Sequence, residues 1–68
     1  MKGYYIIPTG GEPIEITGKN ARVRAINKAK AIYKELNDNE IVIQQFDDSN
    51  KGGYMADLEF LTLSEILS

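Results

Sequence analysis

The sequence predicts an α+β domain of order ββαββ, a four-stranded antiparallel sheet with one helix packed on one face. Three observations carry that expectation. A single long stretch, Asn20 to Leu36, has helical periodicity. Four segments around it have strand composition, two before and two after. The two inner candidates are apolar on both sides, whereas the two outer ones alternate with charge or proline, as central and edge strands do.

The helix anchors the reading. Apolar residues fall at Ala21, Ala25, Ile26, Ala29, Ile32, Tyr33 and Leu36, the i, i+3, i+4, i+7 recurrence of an amphipathic helix. The alanines let it lie close on a flat partner. Arg24, Lys28 and Lys34 fall on the opposite arc with Asn27, Lys30 at its margin, and Arg22 near the apolar face, where its stem can snorkel. Asn20 is expected to cap the first turn through its side-chain oxygen. Asn37-Asp38-Asn39 is turn chemistry that stops the helix.

Residues 3–8, GYYIIP, read as a strand. Thr9-Gly10-Gly11-Glu12 is a turn whose glycines supply positive φ. Residues 12–17, EPIEIT, alternate, and Pro13 cannot donate to a ladder, so this strand belongs at an edge. After the helix, residues 40–46, EIVIQQF, form a third strand, 47–53 a polar loop, and 54–61, YMADLEFL, a fourth. In that fourth strand Ala56, Leu58 and Phe60 should face inward and Asp57 and Glu59 outward. In the tail, Thr62-x-x-Glu65 has capping-box spacing and favours a short C-terminal helical turn. The strand order that follows is 2-1-3-4, every neighbouring pair antiparallel. One helix then leaves the sheet's second face to the C-terminal segment or to another protein, and exposed apolar faces of that kind are commonly interaction sites.

Sixty-eight residues make a single domain, 1–68, with a thin core. No cysteine is present to staple it. No histidine is present either, which removes the usual general base and the commonest metal ligand. The formal charge of −2 hides a segregation. Residues 19–34 hold six basic residues and no acid, and the rest holds ten acids against Lys2 and Lys51. No apolar run has membrane-span length. The opening MKGYYII, cut by Pro8, is short for a signal-peptide core.

No motif points to catalysis, a cofactor or a metal, and the expectation is a non-enzyme. Asp47 to Gly52 resembles the start of a calcium loop, but Lys51 and Leu58 stand where its fifth and twelfth positions need oxygen ligands. Gly10-Gly11 and Gly52-Gly53 join strand to strand and are not phosphate cradles. Asp57 and Glu59 alternate on one strand face without a neighbour that would tune them. The tyrosines, Tyr4, Tyr5, Tyr33 and Tyr54, are expected at buried or interface positions, with one or two on the uncovered sheet face.

Met1-Lys2 with Tyr5-Ile6-Ile7, Ala29-Lys30-x-Ile32 with Lys34-Glu35, and Tyr54-Met55-Ala56 together resemble the small phage-encoded anti-CRISPR proteins, in particular type I-F inhibitors of ββαββ plan. The resemblance implies a phage or mobile-element protein, working in the bacterial cytoplasm, that inhibits a host CRISPR-type nucleoprotein complex by occlusion. It also implies that Lys30, in the Ala-Lys-x-Ile word, is a contact residue. The C-terminus departs from the resemblance: TLSEILS lacks the basic and aromatic ending of those inhibitors. The partner-binding candidates are therefore Arg24, Lys28, Lys30 and Lys34 on the helix, and Asp57 and Glu59 in an acidic edge that also holds Asp47 and Asp48. Two other readings stand beside a host-protein partner. One is a nucleic-acid binder using the basic helix face, and the other is a homodimer paired through the free sheet face or the fourth strand. No membrane partner is expected.

Overall fold

The computed structural model describes residues 2–47 and 58–68. The elements are β1 (Lys2–Ile7), β2 (Ile14–Thr17), α1 (Ala21–Leu36), β3 (Val42–Asp47), β4 (Phe60–Leu61) and α2 (Leu63–Leu67). The sheet has the order β2-β1-β3-β4 with all pairs antiparallel. This is the expected ββαββ plan, the short C-terminal helix included.

Register assigns the two faces. Tyr4 pairs with Ile16 and Gln45, and Ile6 with Ile14 and Ile43. Because alternate residues share a face, Tyr4, Ile6, Ile14, Ile16, Ile43 and Leu61 look toward α1, and they gather in one core with Ala21, Ala25 and Ala29. Ala25, Ala29, Ile6, Ile41 and Ile43 are fully buried. Three alanines at successive turns keep the helix backbone close to the sheet, and isoleucines fill the space between. Fully burying an isoleucine contributes about 1.5–3 kcal/mol, so Ile6, Ile41, Ile43 and Ile66 form the main apolar term of this small core.

The connections follow local chemistry. Gly11 N–H donates to Pro8 C=O (3.3 Å), with Gly10 between them at φ 72°, where glycine avoids a Cβ clash. Asn37 ends α1 in the left-handed conformation, φ 55° and ψ 38°, a helix stop that asparagine tolerates. The N-terminal cap is a correction. Asn20 does stand at the N-cap, but it is itself left-handed (φ 59°) and makes no side-chain capping bond. Its carbonyl starts the helix by accepting from Arg24 N–H at 3.0 Å. Thr62 likewise departs from capping-box geometry, since its hydroxyl contacts the Glu65 carboxylate (3.3 Å) in place of a backbone N–H.

The C-terminal part of the sheet also differs from expectation. Residues 54–57 of the expected fourth strand lie outside the described residues. The strand that is described has two residues, and its parity is the reverse of the expected one: Leu61 is buried and Phe60 is half exposed. A one-residue shift moves every side chain to the other face. Alternation itself is kept, with Glu59 and Leu61 together on the helix side. Gln45 N–H donates to Glu59 C=O (2.9 Å), but Glu59 N–H turns to the Gln45 side-chain oxygen (2.8 Å), so a glutamine replaces the backbone acceptor. The C-terminal segment does not cross to the second sheet face. Ile66 joins the core beneath α1, and α2 packs on α1 and β4.

Gly3 shows how tightly the second face is built. It pairs with Thr17 on one side and Phe46 on the other. A Cβ there would lie 2.3 Å from Ile16 O and 3.1 Å from Phe46 Cε1. Phe46 therefore lies over a strand position that must stay bare, and it stacks on Tyr5 with ring centroids 4.5 Å apart.

Two substitutions test this packing in chemical denaturation. Ile43→Ala should destabilise by about 2–5 kcal/mol, the range for a large-to-small change in a filled core. Gly3→Ala should destabilise by about 1–3 kcal/mol through overpacking against backbone, although it adds apolar volume. A neutral Gly3→Ala would contradict the described β1–β2–β3 register.

Candidate functional site

Three groups of side chains stand out from the scaffold. The first joins β1, α1 and the start of β4. Arg22 donates to both oxygens of Glu59 (Nε–Oε1 2.9 Å, Nη2–Oε2 2.9 Å), and Tyr4 Oη donates to Glu59 Oε1 at 3.0 Å. The pair is bidentate but at the surface, with half of the Arg22 side chain exposed. Such a pair has fixed geometry and modest strength. Hydrogen bonding from Arg22 holds the Glu59 carboxyl below its ordinary range, and the Tyr4 hydroxyl adds to the effect. Burial, followed by the bond to Glu59, raises Tyr4. The Glu59 bond raises Arg22.

The second group closes the other end of the molecule. Asp38 accepts from Thr9 N–H (2.8 Å), Thr9 Oγ1 (2.6 Å) and Glu40 N–H (3.2 Å). The Thr9 hydroxyl is the main cause of its lowered pKa. This carboxylate pins the β1–β2 turn to the α1–β3 connection. Beside it lies a depression of about 450 Å³ lined by Thr9, Leu36, Asn37, Asp38, Asn39 and Glu40. Both Asp38 oxygens already accept hydrogen bonds, and Glu40 is the other carboxyl lining the depression. Nothing in the sequence pairs Thr9 with Asp38, which are 29 residues apart.

The third group is the second face of the sheet. Tyr5, Ile7, Val42, Gln44, Phe46 and Phe60 lie there by register, with Glu15 and Thr17 on β2. Both helices pack on the opposite face. Of the tyrosines, Tyr5 belongs to this face, Tyr4 to the helix side, and Tyr54 lies outside the described residues.

The partner-binding candidates from the sequence therefore separate. Arg24 is exposed and keeps its charge, but its guanidinium is not free to move. Its guanidinium donates to Lys19 C=O (3.0 Å from Nε, 2.8 Å from Nη2) and also to Thr17 C=O, tying α1 to the end of β2. Lys28, Lys30 and Lys34 are exposed and have no acid partner among the described residues. Glu59 is not an open acidic edge, because Arg22 and Tyr4 occupy it. Asp57 and most of the loop that resembled a calcium site lie outside the described residues. Among the described residues no three of His, Cys, Asp or Glu gather as a metal site, and no helix is long and apolar enough to cross a membrane. Comparison with known families, curated proteins and solved structures finds no match.

The ionic clamp gives a pH dependence with a definite sign. Glu59 is depressed in the folded state, so the unfolded chain binds more protons in acid. Its contribution is complete above the unfolded glutamate value of about 4.3 and is lost as pH falls through the lower folded value. Tyr4 is raised, so its contribution is complete below about pH 10 and lost as pH rises through the folded value. In thermal melts across pH, Glu59→Gln should flatten the acid limb and Tyr4→Phe the alkaline limb. An unchanged acid limb in Glu59→Gln would contradict the clamp.

Proposed function

We propose that the chain is a small non-catalytic binding module that docks on a protein subunit of a host nucleoprotein complex and inhibits it by occlusion. The observation that carries this reading is the composition of the second sheet face. Five large apolar side chains, Tyr5, Ile7, Val42, Phe46 and Phe60, share it, while both helices pack on the other side. Phe60 is half exposed, Tyr5, Ile7 and Val42 are partly exposed, and Phe46, stacked on Tyr5, is buried. Aromatic residues of this kind are the usual anchors of protein interfaces.

The edges of the sheet support the face as the docking surface. β2 has four residues, follows Pro13 and has its last carbonyl covered by Arg24. β4 has two residues and leads directly into α2. Short, capped edges resist pairing with another chain. The resemblance to type I-F anti-CRISPR proteins supplies the class of target, a CRISPR-type effector complex, and with it a phage or mobile-element origin and action in the bacterial cytoplasm.

A plasmid-interference assay in a bacterium with an active type I-F system tests the proposal. Expression of the protein should restore transformation by a targeted plasmid, and the protein should co-purify with the effector after nuclease treatment. Phe60→Glu, at an exposed position, should reduce both by tenfold or more, the loss of one central aromatic anchor. Interference that continues unchanged with the wild-type protein present would refute the inhibitor reading.

A further inference from the structure

Six cations lie on or beside α1, and their side-chain chemistry divides them. Both arginines are engaged internally, Arg22 with Glu59 and Arg24 with the carbonyls of Thr17 and Lys19. Arg24 is exposed and keeps its charge, but its guanidinium is anchored on those carbonyls; the exposed cations of this region without a hydrogen bond among the described residues are lysines, Lys28, Lys30 and Lys34 on the helix and Lys19 before it. At about 100° per residue, Lys34 and Asn27 fall near the middle of the outward arc, opposite Ala25 and Ala29. Lys30 lies on one flank of that arc and Lys28 on the other. Between them fall Val23 and Ala31, which carry no charge, and Arg24 and Glu35, whose charges are opposite.

We propose that this outer side of α1 binds the phosphodiester backbone of nucleic acid without reading base sequence. An ammonium is a compact point charge with freely rotating donors, suited to neutralising a phosphate. Arginine's planar fork is the group best matched to a guanine edge, and both arginines here are held by partners within the chain. A protein partner is the poorer fit, because protein interfaces favour arginine and aromatic anchors and are depleted in lysine. Phosphate neutralisation needs only the charge.

Two of the acids are placed away from this patch. Glu59 is paired with Arg22. Glu15 lies on the far face of the sheet, and the molecule measures 23 and 22 Å across its two shorter directions. Charges separated by more than a Debye length, about 10 Å at 0.1 M salt, are largely screened. Glu35 is the one acid on α1, in its last turn.

The test is fluorescence anisotropy of the full chain with a labelled DNA duplex of about 20 base pairs. Three phosphate contacts give a logarithmic salt slope of about −2.7, so affinity should fall about 40-fold between 50 and 200 mM salt. A second duplex of unrelated sequence should bind equally well. The variant Lys28→Glu, Lys30→Glu, Lys34→Glu, with its fold verified by circular dichroism, should lose at least tenfold in affinity at 50 mM salt. Glu15→Gln and Phe60→Glu should bind as the wild type does, because this surface is separate from the sheet face and does not rest on its function. Failure of the wild type to bind at 50 mM salt, or full binding by the triple variant, would overturn the proposal. Equal displacement of the duplex by polyglutamate would also overturn it, in favour of an acidic protein ligand.

Discussion

The structure depends on one close contact, the alanine row of α1 lying on the isoleucine face of the sheet. A chain of this length has little surface to bury, and this one has no cysteine to cross-link it. Its core must therefore be dense, and Ala21, Ala25 and Ala29 make it so by bringing the helix down onto Ile6, Ile41 and Ile43. A larger side chain at any of these positions would lift the helix and leave the isoleucines partly unpacked. The same contact fixes which face of the helix points outward. The lysines are displayed because the alanines are buried.

Polar groups at the two ends keep that contact in register. At one end Asp38 joins the β1–β2 turn to the α1–β3 connection through Thr9. Along the side, Arg22 and Tyr4 hold Glu59 and so bring the C-terminal segment against α1. Arg24 does the same at the β2 end. Each is a surface interaction of modest strength. Their effect is geometric: they link elements distant in sequence, and the link at Glu59 precedes the placement of Leu61 and Ile66 in the core. Arg24, which reads as part of a binding surface, is thus part of the scaffold, as is Arg22.

Most of the fold is legible in the sequence because its signals are local. The period of the helix, the proline before β2, the doubly apolar β1 and β3, and Asn37 at the helix end all express backbone or patterning constraints acting within a few residues. Signals that depend on tertiary partners are not legible. Glu59 reads as a wet edge residue because alternation in YMADLEFL places it opposite Phe60, yet the Gln45 side chain intervenes in the ladder and Leu61 turns inward. Arg24 reads as a solvent-facing charge because helical angle alone cannot reveal the carbonyls of Thr17 and Lys19 within its reach. Asn20 reads as a side-chain cap, and its left-handed backbone removes that geometry. Of the candidate site, the lysines are legible because exposure follows from helical period, and an apolar second face is legible from the doubly apolar strands, whereas which residues share that face, Phe60 among them, follows only from strand register.

The proposed docking reading requires that the Ile7, Val42 and Phe60 side of the second face be open to solvent. Paramagnetic relaxation by a soluble probe, read in the NMR spectrum of the free protein, measures this directly. The account predicts strong attenuation at Ile7, Val42 and Phe60, with Ile6, Ile41 and Ile43 protected. Equal protection of both sets would mean that the sheet is already covered on both faces within the molecule, and would contradict the account.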